Sequence, residues 1–218
     1  MRLKVGIAAA VLFVASHANA AIVLQDFNAN PSNLANGAAL PTNYFSGMTI
    51  SNALLVYQGP TTPAIAFNFP NGGQSGDVVS NPANFNGNFL TTAGNPGGSA
   101  VMTFVFDSPV NNLGIWLADV DSTESYVLST FDPSNNSIDS VTVAVGGPGT
   151  GDGVATAVSL PGTDIKKLVV TPNLPANQIG FGLDDLTFDN VPEPSCAVMF
   201  VLLGGVPALL RTQRLPKA

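Results

Sequence analysis

The chain has 218 residues, 45% hydrophobic and 10% charged, with seven Lys or Arg against fourteen Asp or Glu and a net charge of −7. Five cations sit near the ends (Arg2, Lys4, Arg211, Arg214 and Lys217), so between Ala21 and Pro194 only Lys166 and Lys167 oppose all fourteen acids, a net of −12 that repels phosphate backbones and excludes nucleic acid as a partner. The single His, His17, and the single Cys, Cys196, also lie near the ends, which removes zinc sites, Ser-His-Asp triads, Cys-His pairs and disulfides from the interior.

At the N-terminus, Arg2 and Lys4 precede an apolar run from Val5 to Ser16, followed by Ala18-Asn19-Ala20. A positive start, a run too short for a comfortable span and a small-x-small site define a secretory signal helix at 1–20, cut by signal peptidase after Ala20. An uncleaved anchor is the alternative reading. Either way, residues from Ala21 onward leave the cytoplasm.

Residues 21–190 are enough for one domain with a full core. Gly, Pro and Asn punctuate short runs of period-two alternation: Met102, Phe104 and Phe106; Leu113, Ile115 and Leu117; Val141, Val143 and Val145. Further strands are expected near 22–27, 44–50, 54–57, 64–69, 126–131, 154–160, 168–170 and 179–188. Asp132 to Ser137 reads as a hairpin turn. Glycine-rich stretches at 71–76, 94–98 and 146–153 read as loops. No long stretch has helical period, so the expected body is all-β, an antiparallel β-sandwich of jelly-roll type.

Two strands slip phase. Ile179, Phe181 and Leu183 share one parity and Leu186 and Phe188 the other, so a β-bulge at Asp184-Asp185 is expected to keep both sets inward. Near the start, Phe27 falls out of phase with Ile22 and Leu24, beside Asp26. Terminal strands of jelly rolls commonly lie side by side, which would gather Asp26, Asp184 and Asp185. That arrangement resembles the structural calcium site of galactose-binding-like and carbohydrate-binding sandwich modules, which draw ligands from the first and last strands. Calcium suits a chain whose interior offers only oxygen ligands. A weaker acidic candidate is Asp119, Asp121 and Glu124, for which a solvated acidic loop is the competing reading.

Enzymatic chemistry would have to rest on carboxylates, as in a glycoside hydrolase, yet Glu124 and Glu193 are the only glutamates and no acid has an evidently apolar, aromatic setting. A non-enzymatic role is therefore expected. Trp116 and Tyr126, with Tyr44 and Tyr57, are candidate sugar-stacking surfaces. Trp116 has the parity opposite to Leu113, Ile115 and Leu117, so either it faces outward or its strand is buried on both sides.

The chain ends with Val191-Pro192-Glu193-Pro194, an apolar run at 195–210 and a basic end bearing Arg211, Arg214 and Lys217. The prolines keep a short peptide extended, the run enters the bilayer as a helix, and the cations hold the cytoplasmic side. This order resembles the PEP-CTERM sorting signal read by exosortase. The resemblance covers 191–218 and implies transient anchoring in the inner membrane, cleavage near Pro-Glu-Pro, and delivery to the envelope, surface or exopolysaccharide matrix of a Gram-negative bacterium. A permanent anchor is the alternative. The function expected from both ends is that of an exported structural or adhesive protein, with carbohydrate binding as the second reading.

Overall fold

Alternating apolar residues need a core on one face and a hydrogen-bonded neighbour on each edge. The computed structural model describes residues 21–28, 32–35, 37–58, 87–92, 100–118, 120, 124–144, 146–147, 155–173 and 181–190. Among them are β1 (Ile22–Gln25), β2 (Ala38–Ala39), β3 (Met48–Ser51), β4 (Ala53–Gln58), β5 (Gly87–Thr92), β6 (Met102–Ala118), β7 (Ser125–Phe131), β8 (Ser137–Ala144), β9 (Ala155–Leu160), β10 (Ile165–Asn173) and β11 (Gly182–Asn190). Among the described residues every pairing is antiparallel, which makes the described body all-β as expected. The signal at 1–20, the tail at 191–218, the strand expected at 64–69 and the stretches 71–76 and 94–98 lie outside the described residues. By its contacts the described part of the chain falls within one compact unit, Ala21–Val191. Among the described residues no helix is long and apolar enough to cross a membrane.

The sheet path runs β2-β4-β5-β11-β6-β10-β7-β8, with β1 added to β11 and with β3 and β9 added to β6. β6 organises this path. Its first part lies between β3 and β10, through Thr103, Phe104 and Val105; its second part lies between β9 and β11, through Gly114, Trp116 and Leu117. The two apolar runs that the sequence separates are thus one strand of 17 residues. The sheet curls around a core that takes Phe104, Leu128 and Leu168 from one part and Leu90, Leu117 and Leu183 from the other.

Keeping β6 inward along its length requires a change of phase. Met102, Phe104, Phe106 and Val110 are buried on even numbers, and Leu113, Ile115 and Leu117 on odd ones. The switch falls at Asn112, whose φ of 47° is left-handed and which the ladder passes as an extra residue between Gly114↔Thr187 and Asn111↔Asp189. β11 carries the matching extra residue, Asp185, at φ 50°, between Asp184↔Trp116 and Thr187↔Gly114. The bulges compensate, and the original register returns after both. Between them the strands approach so closely that a Cβ on Gly114 would lie 2.6 Å from Thr187 Oγ1.

The β7–β8 turn forms where the sequence places it. Asp132 Oδ1 accepts the N–H groups of Ser134 and Asn136, both at 2.8 Å, and Asn136 Nδ2 donates to Asp132 Oδ2 at 2.8 Å. Asn136, through its amide side chain above all, holds the Asp132 carboxyl below its ordinary value.

Asn112 also donates from Nδ2 to Asp189 Oδ2 at 2.9 Å and accepts the Gly162 N–H at 3.3 Å. Asn112→Ala loses both bonds and strains the left-handed backbone, so it is expected to cost about 1–3 kcal/mol. Asn112→Gly should recover about 1 kcal/mol of that loss by relieving the strain. Urea denaturation of the three proteins checks the order.

Candidate functional site

Two of the carboxylates singled out in the sequence, Asp26 and Asp185, come together at a gap on one edge of β11. β5 pairs with that edge at Leu183 and β1 from Leu186 to Asp189, leaving Asp184 and Asp185 between them. Because Gln25 is opposite Leu186, Asp26 continues β1 toward Asp185. The chain then turns through Phe27, left-handed at φ 46° and fully buried. Its ring contacts Phe45 at 5.2 Å and Phe104 at 6.4 Å between centroids. Burial of Phe27 is what forces Asp26 to the rim, and it accounts for the phase slip in the first strand.

Two asparagines close this junction. Asp26 Oδ1 accepts the Asn28 N–H at 3.2 Å; Asn28 Oδ1 accepts the Asn88 N–H, and Asn88 Nδ2 donates to the Asn28 carbonyl, both at 2.9 Å. Gly87 precedes Asn88 at φ 81°, and any Cβ there would overlap the Asn28 amide. Neither asparagine, nor the strand β5 that begins beside Asn88, is among the sequence expectations; the apolar pair Phe89-Leu90 is the available sign of β5.

The three acids have different surroundings. Asp26 is exposed, Asp185 is partly buried, and Asp184 is 2% exposed with Oδ1 accepting the Asp185 N–H at 2.8 Å. Burial first, and then the negative charge of Asp26, raise the Asp185 carboxyl above its ordinary 3.8. Among the described residues no three His, Cys, Asp or Glu side chains form a group able to hold a metal ion. The acids at the junction therefore amount to an exposed Asp26 beside a half-buried Asp185, and a buried Asp184.

Asp184 instead lies directly across the ladder from Trp116, on the face of the sheet opposite the main core. A second apolar cluster covers that face, with Val56, Phe89, Ala118 and Ala155 buried and Trp116 partly buried against them. Trp116 thus belongs to a strand covered on both sides while remaining partly exposed itself. On its other flank it faces Ala157.

Tyr126 is corrected by the structure as a stacking surface. It is fully buried, its ring lies 4.3 Å from Phe181 between centroids, and its hydroxyl donates to Glu124 Oε2 at 2.9 Å. Even parity puts Tyr126 with Leu128 and Thr130 on the inner face of β7, and Glu124 follows it inward at 2% exposed. Asp119 and Asp121 lie outside the described residues, as does the side chain of Tyr57. Tyr44 packs partly buried against the core.

No protein-family model and no curated protein sequence matches the chain. Among solved structures it is similar to a cleaved adhesin domain of Lys-gingipain, with TM-score 0.42 and 10% identity, covering 77% of this chain and 99% of that one. It is also similar to isomalto-dextranase from Arthrobacter globiformis complexed with panose, with TM-score 0.34 and 14% identity, covering 78% of this chain and 32% of that one. Likeness at this level carries no information about ligand or activity.

The raised Asp185 carboxyl gives a pH-dependent stability. A carboxyl that holds its proton more tightly when folded favours the fold at low pH, and this contribution is lost as pH rises through the raised value. Asp185→Asn keeps a residue that tolerates left-handed backbone and stays neutral. It should raise Tm at pH 7 by roughly a degree or two, and the gain should vanish below the ordinary value of 3.8. Calorimetry across pH 3 to 7 tests this window.

Proposed function

We propose that the chain is an exported, non-enzymatic protein of the Gram-negative surface or extracellular matrix, delivered by exosortase and acting as a structural or adhesive element. The observation that carries this reading is the order at the C-terminus: Val191-Pro192-Glu193-Pro194, the apolar run at 195–210, and Arg211, Arg214 and Lys217. With the signal at 1–20, it describes a protein that signal peptidase releases from one membrane anchor and exosortase from another. The inner membrane is then a transient partner. The body fits this role as a jelly-roll-like β-sandwich whose terminal strands β1 and β11 lie side by side. Buried acids in it make internal bonds, Glu124 with Tyr126 and Asp184 with the Asp185 N–H, which supports structural over catalytic work for both.

Mass spectrometry of surface-extracted protein from an exosortase-bearing host should find a C-terminus near Pro194 and no peptide containing Arg211. Replacing Pro192 and Pro194 by Ala should leave the tail attached and the protein in the inner membrane. Surface protein with Arg211 intact sinks tail removal.

One observation favours carbohydrate binding as a second reading: the partly exposed Trp116, flanked by small residues of β9. A partly exposed aromatic side chain is a surface that a sugar ring stacks on. In this reading calcium bridges Asp26 and Asp185 and offsets their repulsion, taking the rest of its six to eight oxygens from amides, main-chain carbonyls and water. Polysaccharide pull-down of the full chain should then retain wild type in calcium, retain less in EDTA, and lose Trp116→Ala under both conditions. Equal retention of Trp116→Ala and wild type removes the sugar reading, and retention indifferent to EDTA removes the ion.

A further inference from the structure

β8 ends the sheet path, and among the described residues it pairs with β7 alone, while β9 pairs with β6 alone. These two strands are not paired with each other. They form the walls of a cleft of about 180 Å³, lined by residues 141–144 of β8, 156–159 of β9 and Gly147. The sheet therefore curls until two of its edges face one another across a gap.

Hydrogen bonds show which groups of β8 turn toward that gap. The Asp139 N–H points back to β7, donating to Thr130 Oγ1 at 3.2 Å. The Ser140 N–H turns away and donates to Asp139 Oδ1 at 2.8 Å. Inward and outward residues alternate in an antiparallel edge strand, so Ser140, Thr142 and Ala144 direct their main-chain groups away from β7. Asp139 occupies the Ser140 N–H, and the Gly147 N–H, at 3.2 Å, occupies the Ala144 carbonyl. Thr142, between them, presents an N–H and a carbonyl for which no ladder partner exists among the described residues.

Edge strands usually carry Lys, Pro or a bulge against unwanted pairing. β8 reads Ser-Ile-Asp-Ser-Val-Thr-Val-Ala, without Lys or Pro, and its register with β7 is continuous from Asp139 to Ala144. Its alternating Val and Thr suit a pleated partner. The charged residue of the two described walls is Asp139 of β8, and neither wall carries Lys or Arg, so the field at the cleft favours a neutral or basic partner.

We propose that the β8 edge is a docking site for one extended peptide strand of another polypeptide, neutral or basic, which pairs through the main chain of Thr142 and is flanked by β9. Main-chain bonds supply the affinity in such strand addition, and the small Thr, Ala, Val and Ser walls select β-branched over aromatic side chains. This proposal is independent of the sorting tail and of the Trp116 face.

The test is fluorescence anisotropy with the full chain and a labelled heptapeptide, Lys-Thr-Val-Thr-Val-Thr-Lys, blocked at both ends. Saturable binding is expected. N-methylation of both Val residues should weaken it by about tenfold or more, as expected for loss of one or two main-chain bonds. Replacing both Lys by Glu should weaken it as well. Thr142→Pro removes the outward N–H but no bond to β7, so it should abolish binding at unchanged Tm; Thr142→Ser should bind like wild type. No saturation at millimolar peptide, or equal affinity for the N-methylated peptide, overturns the proposal whether or not Thr142→Pro folds. A free chain that sediments as a dimer and is made monomeric by Thr142→Pro also overturns it, because the occupant is then a second copy.

Discussion

The constraint on which this structure depends is that a strand has two faces, and a slip of one residue exchanges them. β6 serves both parts of the curled sheet and has to keep one side apolar through a bend. It does so by inserting Asn112, and its neighbour β11 accommodates the change by inserting Asp185. The two bulges cancel, so the pairs beyond both keep the register they had before. Two left-handed residues on adjacent strands, with Gly114 making room between them, allow Phe104, Leu117, Leu183 and Leu186 to share one core.

The candidate junction lies at the second of these bulges. The bulge at Asp185 coincides with the point where the outer edge of β11 is divided between β5 and β1. The segment after β1 crosses the break, buries Phe27 and leaves Asp26 facing Asp185. Repulsion between these acids is the local cost, while Asn28 and Asn88 bind the crossing in place. The same bulge leaves Asp184 across from Trp116 on the other face. Acids adjacent in the sequence thus serve different surfaces.

Curling also explains the cleft between β8 and β9. A sheet that wraps a core brings its edges toward each other, and a ladder between them would seal them. These edges remain unpaired with each other among the described residues. Capping of the Ser140 N–H by Asp139 and of the Ala144 carbonyl by Gly147 restricts the open part of β8 to its middle.

By itself the sequence determined the strand class, the β7–β8 turn and the bulge at Asp184-Asp185. These are local matters: alternation, turn chemistry and phase slips are written within a few consecutive residues. It also determined the charge separation that leaves the body acidic, without thiol or imidazole. Only the tertiary structure decided that the two runs around Asn112 form one strand, that Tyr126 is buried while Trp116 stays partly exposed, and that Asp184 lies across the ladder from Trp116. Each of these depends on which strand lies alongside, and alternation specifies that a residue faces one side without specifying what covers that side.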